Sequence, residues 1–285
     1  MNPRKAVCIL AAFVIAFVPL ALGQGTYTQI DVPGATTTVI QGINAAGDVV
    51  GSYNDSNGSH GFLLSSGVFT TIDYPGPPGF GTALAGINDD GQIVGSFRGF
   101  SSTIGFSYDV QTQTFTNVVY PTAVYTIPVS INNAGTIVGV WSVSGTFQGF
   151  ELIGSTYSQI EFPQARETWV WGISGVGEIV GYATQGQKTL SFAFKNGNYR
   201  RLKLRNASRA LVLGINHAGT ELTGTAGIDA FVYQNGSLQR LSFPNASSTT
   251  AYGVNDKGEV SGLFNDTNGF FHGFTWMPPA DAAKK

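Results

Sequence analysis

A motif of about ten residues that occurs six times constrains this fold more than any other feature of the sequence. Its first copy is Gly42–Gly51 and its second is Gly86–Gly95. The central Ile or Val recurs at steps of 44, 44, 42, 42 and 39 residues. A period near 42 residues indicates that one supersecondary unit is used repeatedly along the chain.

Each repeat unit reads as four short strands, which we designate a to d. The motif supplies the end of strand a, an Asn-x-x-Gly turn and strand b. Asn accepts local backbone hydrogen bonds at the start of such a turn, and Gly takes a positive φ at its end. In unit four, Ser174 replaces Asn and is expected to form a similar turn. Strand b carries adjacent apolar residues such as Val49 and Val50, so both faces of each sheet are expected to be buried.

The distribution of strands between the two chain ends predicts a closed ring. Six copies of strands a to c are followed by only five d strands, because the chain ends soon after Gly273–Trp276. The missing d strand lies at the other end, where Tyr27–Pro33 is similar to Phe69–Pro75. We therefore expect an all-β fold, a six-bladed β-propeller whose N-terminal strand completes the last blade.

Composition agrees with this fold and limits the partners. Charged residues make up 11% of the chain, against about 25% in ordinary domains. The 38 glycines suit short strands joined by tight turns. A formal net charge of −2 argues against nucleic acid as a partner. The single cysteine, Cys8, precedes the repeats, so no disulfide or thiol chemistry is expected in them.

Three segments are expected along the chain. Residues 1–23 read as a signal peptide, with a basic start, an apolar run and small residues before Gln24. The alternative is that this run is retained as a membrane anchor. Residues 24–277 form a single propeller, and residues 278–285 form a short C-terminal tail. The predicted location is secreted, either extracellular or periplasmic, with no membrane contact after cleavage.

The repeat resembles the HAF-repeat family of secreted bacterial proteins. The name-giving triplet follows strand b as His60–Phe62, Asp229–Phe231 and His272–Phe274. The likeness covers roughly residues 25–277, and units five and six depart from it most. The resemblance implies an extracellular, propeller-like repeat protein, and it implies no particular activity.

Residues that break the repeat are the candidates for ligand binding. Arg166, Glu167, Trp169 and Trp171 break it just before and within the fourth a strand. Trp141 and Tyr125 lie nearby in unit three. Strand a is the innermost strand of a propeller blade, where aromatic rings beside a charge pair could bind a sugar. Core packing between blades is the alternative explanation for these rings.

A basic stretch in unit four is a second candidate surface. Arg201, Lys203 and Arg205 share one side of the predicted d strand, where other units carry Asp73 or Glu161. Lys and Arg commonly protect an edge strand from aggregation. The alternative is a patch that faces an anionic ligand, such as an acidic glycan or lipopolysaccharide.

The sequence predicts no cofactor and no catalytic group. Two near-identical b–c turns are rich in oxygen ligands and give a weak Ca²⁺ signal; the residues are Asp55, Asn57, Asp266 and Asn268. Asn-Gly is, however, itself a hairpin turn. His60 and His272 share one repeat position and are expected to be structural, and His217 is expected in a solvated turn. No Ser/His/Asp triad or histidine cluster is visible.

These features favour a non-enzymatic propeller that binds carbohydrate or another cell-surface ligand. One alternative is a hydrolase or lyase that acts on extracellular glycans or lactones in the central channel. That alternative needs convergent acids or histidines, and its candidates are Glu167, His217, Glu221 and Asp229. The other alternative is a purely structural surface protein.

Overall fold

The structure is a computed structural model that describes residues 17–18, 25–77, 80–205, 207 and 209–279. The predicted signal segment 1–23 lies outside the described residues, apart from Phe17–Val18, and so does most of the predicted tail. All regular secondary structure in the described residues is β-strand. Among these residues, no helix has the length and apolar character needed to cross a membrane.

The strands follow one another in short antiparallel meanders. The N-terminal strands are β1 (Phe17–Val18) and β2 (Thr26–Ile30). Unit one contains β3 (Thr37–Ile43), β4 (Val49–Asp55), β5 (Gly58–Ser65) and β6 (Val68–Ile72). Unit two contains β7 (Gly81–Ile87), β8 (Gln92–Arg98), β9 (Thr103–Asp109) and β10 (Thr114–Val118). Unit three contains β11 (Tyr125–Ile131), β12 (Ile137–Ser142), β13 (Gln148–Ile153) and β14 (Thr156–Ile160).

The second half of the chain repeats this order. Unit four contains β15 (Glu167–Ile173), β16 (Ile179–Gln185), β17 (Lys188–Lys195) and β18 (Asn198–Arg201). Unit five contains β19 (Leu211–Ile215), β20 (Glu221–Ala226), β21 (Asp229–Gln234) and β22 (Ser237–Leu241). Unit six contains β23 (Ser248–Val254), β24 (Val260–Asn265) and β25 (Phe271–Met277).

The two ends of the chain share one sheet. Its strand order is β1-β2-β25-β24-β23, and β2 pairs with β25 from Thr26 opposite Met277 to Ile30 opposite Gly273. This is the pairing that the split repeat predicted. Units one, four and five are separate four-stranded sheets, and a single parallel pairing between Thr103 and Tyr125 joins units two and three.

The innermost strands of the units form a ring around a central channel. Strand β3 packs on β7, β7 on β11, β11 on β15, β15 on β19, β19 on β23, and β23 returns to β3. The channel is lined by the motif residues of all these strands. The all-β, propeller-type architecture is therefore as predicted.

Strand b is buried on both faces, which confirms the prediction from its adjacent apolar residues. Val49 and Val50 are 1% and 0% exposed. Val49 packs in a cluster that includes Ile30 and Val32 of the N-terminal segment, whose strand β2 belongs to the sheet of unit six. Val50 packs in a cluster with Leu84 and Ile87 of unit two. Each sheet is thus packed between two neighbours.

The glycine that closes the motif lies against a β-bulge. In unit one, the pairing of β3 with β4 shifts between Ile40 and Gly42. A Cβ on Gly51 would lie 1.9 Å from the carbonyl oxygen of Val39. At the matching glycines of the other units, a Cβ would lie between 1.8 and 2.3 Å from a carbonyl oxygen of strand a. Any side chain at this position would therefore force strands a and b apart.

The turn asparagine connects neighbouring units. Asn132 Oδ1 accepts hydrogen bonds from the backbone N–H groups of Ala134 (3.1 Å) and Thr136 (3.0 Å). Its Nδ2 donates to the carbonyl oxygen of Ser174 in unit four, at 3.2 Å. The corresponding bond from Asn255 to Asn44, at 3.0 Å, joins unit six to unit one. Ser174 forms the predicted similar turn, because its Oγ accepts the N–H of Glu178 at 2.9 Å.

Candidate functional site

The alternating strand directions give the molecule two distinct sides. The a–b and c–d turns lie on one side, which we call the a–b side. The b–c turns and the connections from strand d to the next strand a lie on the other, which we call the b–c side. The channel runs between these two sides.

At the a–b side, the channel is narrow and mostly lined by repeat residues. Its cavity volume is about 100 Å³, whereas ligand pockets usually have 300–1,000 Å³. Carboxylates at its rim accept hydrogen bonds from backbone N–H groups of the neighbouring turns. Asp89 accepts the N–H of Ala45 at 2.8 Å, and Asp256 accepts the N–H of Ala218 at 2.9 Å. Each of these bonds joins two adjacent units.

Six aromatic side chains form a continuous row from the b–c side into the channel, and we call this row the aromatic lane. Successive ring centroids lie 6.3, 4.7 and 6.4 Å apart along its first four members. Trp171 of unit four then reaches Tyr252 of unit six at 5.8 Å. All six rings are partly exposed. The members are Tyr125, Phe147, Trp169, Trp171, Tyr182 and Tyr252.

The alternation of strand β15 produces the centre of the lane. Thr168 and Val170 are fully buried on one face of the strand. Trp169 and Trp171 therefore project from the opposite face, and their rings stack at an interplanar angle of 19°. Tyr182 of β16 lies opposite Trp169 in the strand register and completes the stack.

Two tyrosine hydroxyls of the lane remain protonated at neutral pH. Burial raises the pKa of Tyr182, and the nearby Glu167 carboxylate raises it further. Burial also raises the pKa of Tyr252, with a smaller contribution from Tyr182. The Trp171 indole N–H lies beside the Tyr182 hydroxyl, and this contact partly offsets the rise in the pKa of Tyr182. The geometry of the contact falls short of a hydrogen bond. The lane thus combines apolar ring faces with neutral O–H donors, while the Trp171 N–H is buried behind them.

Four of the five predicted ligand-binding residues lie at this end of the channel. Trp169 and Trp171 belong to the lane, and Glu167 begins strand β15 at its mouth. Arg166 is exposed. Its backbone is fixed by bonds to Thr184 (2.8 Å) and to the Gln148 side chain (3.1 Å). The guanidinium is therefore displayed from a rigid backbone position.

Trp141, the fifth of these residues, lies outside the aromatic lane. Its ring stacks on Tyr120 at 4.1 Å with an interplanar angle of 12°. Both rings pack on the buried cluster of units two and three, around Phe150. Aromatic rings also pack on each other in the equivalent places of other units, where Phe97 lies on Tyr74 and Phe264 lies on Phe243. Trp141 is therefore a packing residue between units.

Three members of the lane were not predicted from the sequence: Phe147, Tyr182 and Tyr252. Tyr252 had a readable signal, because it lies two residues before Val254 just as Trp171 lies two residues before Ile173. Phe147 lies in a b–c connection without a repeat equivalent. Only the strand register places Tyr182 opposite Trp169.

The basic residues of unit four extend beyond the strand on which they were predicted. Strand β18 ends at Arg201, so Lys203 and Arg205 lie in the connection to unit five. All three are exposed and alternate with the half-buried Leu202 and Leu204. They share one side, as predicted, but only Arg201 belongs to an edge strand.

A missing threonine explains why this connection differs from the others. In the other units, a buried Thr in strand a binds the preceding connection, as Thr38 Oγ1 does with the Val32 N–H at 3.0 Å. Ala210 occupies this position in unit five. Ser191 Oγ of strand c in unit four instead donates to the Ala210 carbonyl oxygen at 2.9 Å and accepts the Val212 N–H at 3.1 Å. The connection is therefore held from a different strand.

The oxygen-rich turns use their carboxylates to hold the backbone. Asp55 Oδ1 accepts the N–H groups of Asn57 (2.6 Å) and Gly58 (3.2 Å). Asp266 Oδ1 does the same for Asn268 and Phe270, both at 2.8 Å. These backbone bonds lower the pKa of both aspartates. Within the described part of the chain, no group of three or more His, Cys, Asp or Glu is placed to hold a metal ion.

The two equivalent histidines join strands c and d, which is the structural role expected of them. His60 Nδ1 lies 2.8 Å from Asp73, and its Nε2 lies 3.3 Å from Asp55. Its ring stacks on Tyr53 at 5.1 Å. His272 lies in the same way between Asp31 (3.0 Å) and Asp266 (3.8 Å).

The four candidates for channel catalysis are not brought together. Glu167 lies at the mouth on the b–c side, whereas His217 is exposed on an a–b turn. Glu221 is buried on β20 and accepts a hydrogen bond from Gln234. Asp229 lies at the b–c side of unit five, where it pairs with Arg240 at 3.1 Å. These four side chains therefore do not converge, although His217 lines the channel cavity at the a–b side together with Asp89 and Asp256.

Comparison with known proteins identifies the architecture. No protein-family model matches the sequence, and no curated protein matches it in sequence. Solved structures are similar in fold. Virginiamycin B lyase from Staphylococcus aureus is 11% identical with a TM-score of 0.53, over 89% of this chain and 88% of that chain. TolB from Acinetobacter baumannii is 12% identical with a TM-score of 0.54, over 85% of this chain and 64% of that chain.

An oligogalacturonate lyase in complex with manganese is also similar. It is 11% identical with a TM-score of 0.50, over 95% of this chain and 98% of that chain. These three proteins are β-propellers. At such low identity, the likeness establishes the propeller fold alone.

Proposed function

We propose that this chain is a secreted, six-bladed β-propeller that binds carbohydrate through the aromatic lane, without catalysis. The six repeat units are taken as the six blades. Secretion is inferred from the signal-like residues 1–23. The observation that carries the proposal is the unbroken, partly exposed row of six rings at one end of the channel.

The chemistry of the lane matches the two surfaces of a sugar. A pyranose ring presents a face of C–H groups, which buries apolar area when it packs on an aromatic ring. Its hydroxyl groups need hydrogen-bond partners when water is removed. The Tyr182 and Tyr252 hydroxyls and the Glu167 carboxylate supply donors and acceptors beside the rings.

The b–c side also offers surface for a ligand longer than one sugar. Phe100 is 96% exposed in the b–c connection of unit two, and Phe270 is 51% exposed in that of unit six. A polymer that leaves the lane could contact these rings. Two rings of the lane, Trp171 and Tyr252, also line the small cavity at the a–b side, so the lane extends into the channel as far as this cavity.

A glycan microarray followed by titration of the hits tests the proposal. The mature chain is expected to bind at least one class of glycan. The Trp169→Ala variant should lose at least tenfold in affinity, which corresponds to about 1.4 kcal/mol. The control is Trp141→Phe, which changes a tryptophan outside the lane and should bind like the wild type.

Two results would refute the proposal. The first is that no glycan binds the folded chain, which would favour a purely structural surface protein. The second is that Trp169→Ala binds the same glycan as tightly as the wild type while keeping its melting temperature.

A further inference from the structure

We infer that the ligand of the aromatic lane is an anionic, uronic-acid-type polysaccharide that continues from the lane onto a basic surface between units four and five. This inference rests on the proposed carbohydrate binding and adds the charge of the ligand. We call the surface the basic connection. Its members are Arg201, Lys203, Arg205 and Arg209.

The basic connection begins at the outer edge of unit four and ends at the channel mouth. The connection from strand d to strand a lies on the b–c side, as the lane does. Arg209 precedes Ile215 by six residues, just as Glu167 precedes Ile173. Arg209 therefore occupies the position in unit five that Glu167 occupies in unit four. Since β15 and β19 pack on each other, Arg209 lies at the mouth beside the lane. Lys203 lies farther out and lines a cavity between units four and five together with Glu178 and Arg200.

The cations of this surface are exposed and make no ion pair among the described residues. The arginine ion pairs of that part of the chain are Arg200 with Glu178, at 2.8 Å, and Arg240 with Asp229, at 3.1 Å. The four members of the basic connection and the neighbouring Arg166 are exposed. Protection of an edge strand from aggregation can explain Arg201, which is the last residue of β18. It does not explain Lys203, Arg205 and Arg209, which lie beyond the strand. An anionic ligand accounts for the cations beyond the strand.

The a–b side of the molecule is more acidic than the b–c side, as binding of an anionic ligand at the b–c side requires. The a–b side carries many carboxylates and few cations, the latter being Lys195, Arg200 and Lys257. Its surface acids include Asp48, Asp89, Asp90, Asp109, Glu178, Asp256 and Glu259. An anion approaching the channel is therefore repelled from the a–b side and attracted to the b–c side.

Acids on the b–c side are mostly engaged away from the basic connection. Asp55, Asp73, Asp31 and Asp266 flank His60 and His272 in units one and six. Asp229 pairs with Arg240. Glu161 lies beside strand β18, because its N–H donates to Tyr199 Oη at 2.9 Å and its carboxylate adds to the rise that burial causes in the pKa of Tyr199. Among the described residues, neither Glu161 nor Glu167 forms an ion pair with the basic connection.

The test compares polygalacturonic acid with its fully methyl-esterified form, because the two share a backbone and differ in charge. The mature wild type should bind the acid at least tenfold more tightly at 0.15 M salt. Raising the salt to 1 M shortens the screening length from about 8 to about 3 Å and should remove most of this difference. Binding is followed by the fluorescence of the lane tryptophans.

Matched double variants locate the charge effect. Lys203→Gln with Arg205→Gln should weaken binding of the acid at least fivefold and leave binding of the ester unchanged. Lys195→Gln with Lys257→Gln makes the same change of charge on the a–b side and should leave both affinities unchanged. All variants should keep the wild-type melting temperature, because these side chains are exposed.

The outcomes separate this inference from the proposed function. Equal affinity for acid and ester, or an equal loss in both double variants, overturns the inference and leaves carbohydrate binding intact. Equally tight binding of DNA or of lipopolysaccharide vesicles also overturns it, because the surface would then be unselective for sugar. If neither polymer nor any glycan on the array binds, the proposed function itself is refuted.

Discussion

The two ends of the channel are built from the same repeat, yet they differ in what varies between units. At the a–b side, the turns of the units have nearly the same sequence and bind one another through buried side chains such as Asn132 and Asn255. At the b–c side, the connections differ in length and sequence. They carry the lane residue Phe147, the exposed Phe100 and the basic connection.

This difference separates structural residues from candidate functional ones. The motif glycine lies against the bulge in every unit. The buried turn amides of Asn88, Asn132 and Asn255 each donate to the next unit and so help to close the ring. The b–c connections carry fewer side chains that hold neighbouring units together, and the sequence of a single unit can therefore differ from the repeat there. On the b–c side, unit four differs most from the other units, because it carries Trp169 and Trp171 at the channel and Arg201, Lys203 and Arg205 at its outer edge.

The largest effect is expected from Gly51→Ala. The added methyl group would lie 1.9 Å from the Val39 carbonyl oxygen, so strands a and b of unit one must separate. We expect a loss of about 4 kcal/mol or more in the free energy of unfolding, or no folded protein. Gly99→Ala in a b–c connection is the control, because its methyl group comes no closer than 3.4 Å to a neighbour. Similar melting temperatures for the two variants would contradict the structural role of the motif glycine.

A smaller effect is expected from Asn132→Ala. The substitution leaves two turn N–H groups and the Ser174 carbonyl without their partner. The free energy of unfolding should fall by about 2–3 kcal/mol, as measured by denaturant titration. Asn132→Ser should recover part of this loss, because Ser174 forms the same turn in unit four. If Asn132→Ser is no better than Asn132→Ala, the turn bonds are not the source of the stability.

On the b–c side, Tyr182→Phe should change binding and leave stability unchanged. The variant keeps the ring in the stack and removes the hydroxyl donor. Affinity for the glycan should fall by about 0.5–1.5 kcal/mol in a calorimetric titration. An unchanged affinity would mean that the hydroxyl faces no sugar group. A large loss of stability would mean that Tyr182 is a packing residue instead.

The smallest effect concerns pH and Glu221. Burial raises the pKa of Glu221, and Asp256 raises it further. Since the unfolded value is about 4.3, the ionised side chain disfavours folding at neutral pH, and the wild type gains stability as the pH falls through the raised pKa. Glu221→Gln should therefore be the more stable protein at pH 7, and this advantage should vanish below about pH 4. A constant difference between the two proteins across this range would contradict the assignment.

The fold could be predicted from the sequence because the repeat specifies it locally. The Asn-x-x-Gly turn, the paired apolar residues of strand b and the divided last unit each have a physical meaning that one sequence displays. The bulge opposite Gly51 could not be predicted, because it depends on the register between two strands.

The candidate site was only partly predictable. Trp169 and Trp171 were visible because they break the repeat. Trp141 breaks it too but lies in the core between units, and a sequence does not distinguish a ring that faces the channel from one that faces the next sheet. The stack of Trp171 on Tyr252 joins units four and six, and only the closed ring brings these residues together.

Hydrogen–deuterium exchange with and without a bound glycan tests the central claim most directly, because it reports both sides of the molecule in one measurement. The structure predicts added protection in residues 143–147 and 166–171 and in the b–c connections near them. It predicts no change in the a–b turns at residues 44–47, 88–91 and 132–135. Protection confined to the a–b turns would contradict the account, since the ligand would then lie on the side that we assign to structure alone.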